Sequence, residues 1–342
     1  MKPSLKNELM QIADLNDVDF TLVDVGARNG ILHLETFARR TDAFGFEPNP
    51  EEYRKLISGS TDAEKIGILT PAFRNLSYFP YALGKEDGSI EFFITPVPGA
   101  SGTLEPDLSS LGRFTYHANQ ACVEDFGSDH FAGSEKIEVE SMMLDSFCSQ
   151  HALGHIDFLK IDVEGSEYDV LAGSADILKR TGVVLVETYF VPFRKNQRLF
   201  SEVDLQLRQA GFDLLRYDIV QDQLGYKRLK KPTHYVPPFY YDLYGCPLAT
   251  DAVYVNRGIQ DTTRRIAQAL ILLEKKFVDE GLYLLDEYGV SQADYQRKLL
   301  SNPANYLGRG VQLRHYGYQM VDACIEAAIA LYNRIKKGNQ HE

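Results

Sequence analysis

The chain has 342 residues, 44% hydrophobic and 25% charged, which excludes a disordered polypeptide and admits one large α/β domain with an appendage. A formal net charge of -12 disfavours a nucleic-acid partner, because an acidic surface is repelled by a polyanion. The four cysteines (Cys122, Cys148, Cys246, Cys324) form no C-x-x-C pair, no apolar run reaches the ~20 residues of a membrane span, and residues 1–20 lack a signal-peptide core, so a cytoplasmic protein without membrane insertion is expected.

In chain order, residues 1–20 read as a polar helix, and Thr21 to Val25 (TLVDV) as a buried strand stopped by Gly26. Residues 30–40 read as a helix, Ala43 to Glu47 (AFGFE) as a second strand, and Pro50-Glu51-Glu52 as a helix opening. Leu76 to Leu83 (LSYFPYAL) is the third strand, interrupted at Pro80, and Asp87-Gly88 predicts a hairpin turn before Ile90 to Thr95. Residues 96–135 form an irregular insertion, read as an acceptor-facing lid or a surface excursion. Ile137 to Val139 is a strand, Asp145 opens a short helix, and Ile156 to Ile161 (IDFLKI) is a core strand followed by a helix over 166–179. Val183 to Glu187, Phe212 to Tyr217 and Asp251 to Val255 are further strands, with a helix over 199–210. The alternation predicts a mostly parallel sheet with helices on both faces, a Rossmann-like α/β domain over 1–257. Residues 258–342 read as a helical extension. It has apolar stripes at Ile266, Leu270, Leu273 and Phe277, and at Ala323, Ile325, Ala328, Ile329 and Tyr332, and is a candidate for self-association into a homo-oligomer.

Asp24-Val25-Gly26-Ala27-Arg28-Asn29-Gly30 places a glycine turn after a strand, where ligands bind in open α/β sheets. Gly26 permits a tight turn where a Cβ would strike a ligand, and Gly30 a close approach of the helix start. Arg28 stands at the second glycine position of a dinucleotide fingerprint, which removes the close approach to a pyrophosphate. Asp24 beside the turn suits an ammonium or sulfonium and repels phosphate. Glu47, ending the second strand, can accept both ribose hydroxyls of an adenosine. The plainer readings are a turn carboxylate for Asp24 and a surface residue for Glu47. In Ile156 to Tyr168 (IDFLKIDVEGSEY), Lys160, Asp162 and Glu164 alternate, which puts them on one side of an extended chain. Ser166 can cap the next helix. A surface ion pair of Lys160 with either carboxylate is the rival explanation.

DVGARNG, FEPNP, YALG and LKIDVEGSEYDVLAG, in this order and spacing over about residues 20–217, resemble the FkbM family of methyltransferases. The resemblance implies a class I methyltransferase fold, S-adenosylmethionine as cofactor, and O-methylation of a sugar or small metabolite. It implies that Asp24, Gly26 and Gly30 surround the methionine part of the cofactor and that Glu47 holds the ribose. Ala82 and Leu83 would flank the adenine, Ser101 and Thr103 would line the cofactor or acceptor side, and Asp162 and Glu164 would face the reaction centre, steadied by Lys160. Arg28 departs from the family pattern and is read as reaching a carboxylate of the cofactor or an acidic acceptor, or as an exposed arginine at the helix start. Glu187 is a second base or a strand-end carboxylate. A metal on Asp162, Glu164 and Glu187 is conceivable, but their spacing does not demand one, and His33, His151 and His155 lack ligand spacing. The loop over 218–250 carries a basic run (Lys227, Arg228, Lys230, Lys231) and aromatic residues (Tyr235, Phe239, Tyr240, Tyr241, Tyr244) read as loop packing or a sugar-stacking surface. The rivals are an amino-directed methyltransferase, an NAD-type oxidoreductase, and a non-catalytic cofactor-binding protein.

Overall fold

In a computed structural model, the described residues are 3–111, 114–118, 121–123, 131–219, 223–226, 246–247 and 249–287. The central sheet has seven strands: β1 (Phe20–Val25), β2 (Thr41–Phe46), β3 (Asn75–Phe79), β9 (Ile156–Ile161), β10 (Thr181–Tyr189), β11 (Phe212–Ile219) and β14 (Ala249–Asn256). Their spatial order is β11-β14-β10-β9-β1-β2-β3. The pairs from β3 to β10 are parallel, and β14 runs antiparallel to both its neighbours. The order reverses between β1 and β9, so their carboxyl ends open the crevice where ligands of such sheets bind. This is the Rossmann-like class I methyltransferase sheet that the resemblance implies.

The apolar runs become central strands because both faces of a parallel sheet are covered. Successive residues feed opposite cores. Leu22 and Phe158 join one core with α1 (Pro3–Leu15) and α8 (Thr262–Glu274). Val23 and Leu159 join the other with α5 (Leu144–Gln150), α6 (Glu167–Ala172) and α7 (Phe200–Gln209). Ile266, Leu270 and Leu273 of α8 are buried in the first core and Phe277 packs against it. The apolar stripe of this part of the extension is therefore used inside the chain, against α1 and the sheet. The second stripe (Ala323 to Tyr332), the basic run and the loop aromatics lie outside the described residues. No described helix is long and apolar enough to cross a membrane.

The structure departs from the sequence reading in five places. No α-helix follows the glycine turn: Asn29, Gly30 and Leu34 have φ of 70°, 94° and 55°, and this left-handed backbone breaks a helix until a single 3-10 turn at Glu35–Arg40. The third strand divides at Pro80: β3 stays in the central sheet, while β4 (Ala82–Leu83) pairs with β8 (Glu135–Met142) in a second sheet. The Asp87-Gly88 turn makes no hairpin. Instead β5 (Gly88–Ile94) pairs antiparallel with β8, more than forty residues on. The helix expected over 166–179 is one short α6 and a 3-10 turn at Ile177–Arg180. Finally, the insertion over 96–135 is partly regular: it contributes β6 (Phe114–Ala118) and β7 (Ala121–Val123) to a small sheet with β12 (Gln223–Tyr226) and β13 (Cys246–Pro247). That sheet joins strands from the segments 96–135 and 218–250.

Candidate active site

A cleft opens at the carboxyl ends of β1, β2 and β9, with a cavity volume of about 240 Å³, just below the ~300–1,000 Å³ range of small-molecule sites. Gly26, Arg28, Glu47, Ala82, Leu83, Ser101, Lys160, Asp162 and Glu164 all line it. Two expected residues do not. Asp24 lies behind Lys160, almost wholly buried. Gly30 packs away from the cleft, where a Cβ would come within 2.4 Å of Thr70 Oγ1.

Gly26 is required for a different reason than the sequence suggests. A Cβ there would lie 1.9 Å from the Asp162 carbonyl oxygen, so the close approach of two strand ends alone requires the glycine. Lys160 ties these ends together. Its Nζ donates to Gly26 O at 2.8 Å and sits 3.1 Å from Asp24 Oδ1 and 3.4 Å from Asp162 Oδ2. Burial acts to lower the lysine's pKa, but the two carboxylates outweigh it and hold the ammonium charged. Burial raises Asp24 to about 6, against the pull of Lys160.

The strand stops at Ile161, so Lys160, Asp162 and Glu164 do not share one side of an extended chain. Glu164 takes a left-handed φ of 60° and Gly165 a φ of 114°. The corner is held from beneath by Glu167, a residue the sequence reading passed over. Its Oε1 accepts from Gly165 N at 2.9 Å and Val163 N at 3.2 Å. Ser166 stands at the helix start without making a side-chain cap. The turn sends Glu164 away from Lys160 toward Tyr189, whose hydroxyl lies 3.0 Å from Glu164 Oε2 and 2.9 Å from Glu187 Oε2. One hydroxyl proton cannot serve both carboxylates. Burial, then the Asp162 charge, raises Glu164 to about 8, and burial also holds Glu187 well above the carboxylate range. Asp162, Glu164 and Glu187 bring oxygens within 4.8 Å of one another. Among the described residues this is the one acidic group so arranged.

Glu47 is buried beside the cleft and accepts from Asn49 N at 2.8 Å, with its pKa raised by burial to about 7. Ser101 Oγ accepts from Thr95 N at 3.1 Å, which fixes the loop opposite. Arg28 donates to Glu52 at 2.9 Å and Asp62 at 3.2 Å. Both cations of the cleft are therefore matched to carboxylates of the chain, and Glu47, Asp162 and Glu164 give it an acidic wall. With Glu47 raised to about 7 and Glu164 to about 8, this wall gains negative charge as pH rises through that range, and in its ionised form it favours a cation over a pyrophosphate. The buried Asn29 Oδ1 and Ser166 Oγ line the cleft without a hydrogen-bond partner in the chain, as expected of groups that meet a ligand. The residues present fit S-adenosylmethionine: Glu47 for ribose hydroxyls, Ala82 and Leu83 as an apolar seat for a base, and an acidic corner for a sulfonium.

Relatives of the chain are methyltransferases. The chain is 29% identical to the 2-O-methyltransferase NoeI of Sinorhizobium fredii over 186 residues, 54% of this chain and 69% of that protein. It is 27% identical to the hexuronic acid methyltransferase AglP of Haloferax volcanii over 198 residues, 58% of this chain and 66% of that protein. A solved structure, the magnesium protoporphyrin IX methyltransferase ChlM of Synechocystis with bound SAM, aligns over 74% of this chain and 76% of that chain, at 11% identity and a TM-score of 0.32. The methyltransferase FkbM domain family matches residues 24–214, more than half of the chain, from within β1 to within β11, and the match includes every residue that lines the cleft. With the glycine turn, the ribose-side glutamate and the DVEG corner gathered on one cleft, the chain belongs to the FkbM family of S-adenosylmethionine-dependent methyltransferases.

Proposed function

We propose that the protein methylates a hydroxyl of a sugar or sugar-like small molecule, and that Glu164 takes the proton from that hydroxyl. The observation that carries this reading is Glu164 itself, a cleft-lining carboxyl raised to about 8 at the corner beside Asp162. The similarity to NoeI, a 2-O-methyltransferase, and to AglP, a hexuronic acid methyltransferase, supports a carbohydrate acceptor. S-adenosylmethionine supplies, when bound, a methyl group activated by a sulfonium leaving group.

The chain supplies alignment and a proton acceptor. Lys160 fixes the Asp162 carboxylate through a 3.4 Å ion pair, and Glu167 fixes the backbone of the corner. An acceptor hydroxyl at this corner gives its proton to the ionised Glu164 as its oxygen forms the new bond to carbon. A base with a pKa near the working pH is efficient in this role and contributes ~10²–10⁴-fold. Alignment of the reacting groups supplies the larger share. Asp24 serves indirectly, by holding Lys160. The net charge of -12 disfavours a nucleic-acid partner, and we place the reaction in the cytoplasm.

The test is methyl transfer from isotopically labelled S-adenosylmethionine to a panel of hexoses, uronic acids, polyketide alcohols, amines and RNA. Gain of one methyl on a sugar hydroxyl is expected. Transfer confined to amines or RNA, or tight binding of S-adenosylhomocysteine with no transfer to any panel member, would overturn the reading.

A further inference from the structure

Arg194, in the loop after β10, lies outside every motif of the sequence, yet it is 2% exposed and stands against the DVEG corner. Its guanidinium donates to Leu104 O at 3.1 Å and to Ala100 O, and one nitrogen sits 3.9 Å from Glu164 Oε2. The group also covers the Phe131 ring at 5.4 Å. Neighbouring backbone extends the same junction: Asp107 N donates to Phe193 O at 2.8 Å, and Lys195 N to Glu105 O at 2.9 Å. Gln197 Oε1 accepts from the amides of Phe193 and Arg194 and so fixes the loop.

Two glycines show how closely the parts fit. A Cβ on Gly102 would lie 3.1 Å from Val163 O and 3.4 Å from Arg194 Cζ. A Cβ on Gly165 would lie 2.9 Å from Gln197 Nε2 and 3.0 Å from Arg194 Cδ. The arginine thus fills the space between the strap of residues 100–107, which carries the cleft-lining Ser101, Gly102 and Thr103, and the turn that carries Glu164.

We propose that Arg194 is a positioning residue for methyl transfer: it seats the 100–107 strap on the DVEG corner and sets a fixed positive charge beside Glu164. The second half of this assignment rests on the proposed role of Glu164, while the first does not. Around Glu164 stand the acidic groups Asp162, Glu167 and Glu187, the Tyr189 hydroxyl, and the Arg194 cation that opposes them. A guanidinium suits the task because its planar fork can reach two carbonyls and a carboxylate together, which a lysine ammonium on a flexible stem cannot reproduce.

The test uses the full chain with Arg194→Lys and Arg194→Met. Hydrogen exchange of the 100–107 amides, with S-adenosylhomocysteine bound, reads the strap. Exchange roughly 10-fold faster is expected in both variants, on the order of the loss of one or two hydrogen bonds. The ratio of S-adenosylmethionine to S-adenosylhomocysteine affinity against pH reads the charge at the corner, because the two ligands differ by a positive charge. In the unaltered chain the preference for the sulfonium is expected to grow as pH rises through about 8. In Arg194→Met the midpoint is expected to move higher, with a roughly 2- to 3-fold weaker preference at that pH, while Arg194→Lys keeps the midpoint. Variants that fold and differ only in melting temperature, with unchanged strap exchange and midpoint, would overturn the proposal. If Arg194→Met does not fold, Arg194→Lys decides through exchange alone. Full methyl transfer by Glu164→Gln would end the base assignment but leave the strap readout to judge Arg194 independently.

Discussion

Lys160 and Asp24 form a buried ion pair, Nζ to Oδ1 3.1 Å, with side chains 14% and 4% exposed, and the pair joins the two strands that flank the cleft. Removing one partner of such a pair leaves the other charged and unmatched, which is strongly destabilising. Lys160→Met strands Asp24 and also frees the Gly26 carbonyl, so a loss of about 3–5 kcal/mol is expected in urea unfolding. Asp24→Asn leaves Lys160 with Asp162 and is expected to lose less.

Stability should fall as the medium becomes alkaline. Asp24 is held at about 6 rather than 3.8, Glu47 and Glu167 at about 7 and Glu164 at about 8 rather than 4.5, in each case chiefly by burial. A carboxyl with a raised folded pKa favours the native state while protonated. Its contribution is full below its ordinary value and is lost as pH rises through the folded one. The urea midpoint is therefore expected to decline from about pH 5 to about pH 9. Glu164→Gln, which removes the carboxyl held at about 8, should flatten the upper part of that decline.

Glu47 should make cofactor affinity pH-dependent in the opposite sense. Its carboxylate is the better acceptor for ribose hydroxyls, so binding of S-adenosylhomocysteine should strengthen as pH rises through about 7. Glu47→Gln should weaken binding roughly 10- to 100-fold, the worth of a charged hydrogen bond, and abolish that pH dependence. Titration calorimetry at three pH values would check both.

The central strands were legible because TLVDV, IDFLKI and VVLVE are apolar runs of strand length, and burial on both faces is what such runs specify. The glycine turn, Glu47 and the DVEG corner were legible because they follow strand ends at fixed distances. What could not be read depends on contacts distant in sequence. The pairing of β5 with β8 spans more than forty residues, and the left-handed Asn29 and Leu34 cancel a helix that composition favours. Arg194 and Tyr189 reach the corner from another strand and its loop, and Glu167 acts through its own backbone neighbours rather than through the cleft. Asp24 and Gly30 match the family pattern but are not among the residues that line the cleft, because one is buried behind Lys160 and the other packs on Thr70.

Gly26→Ala separates scaffold from ligand contact. With φ at 87° and a Cβ contact of 1.9 Å to Asp162 O, alanine must push the β1 and β9 ends apart. A positive φ alone costs ~1–3 kcal/mol, and the clash adds to it. Lower melting temperature is expected even without cofactor, whereas a residue that only made room for ligand would leave the unliganded protein unchanged.

The second sheet has a consequence for how the family can vary. Ile94 and Glu135 are paired partners, so forty residues leave and re-enter the fold at adjacent points of one ladder. Beyond the 100–107 strap, which packs on the cleft, the segment between these feet can lengthen or shrink while the seven-stranded sheet keeps its register.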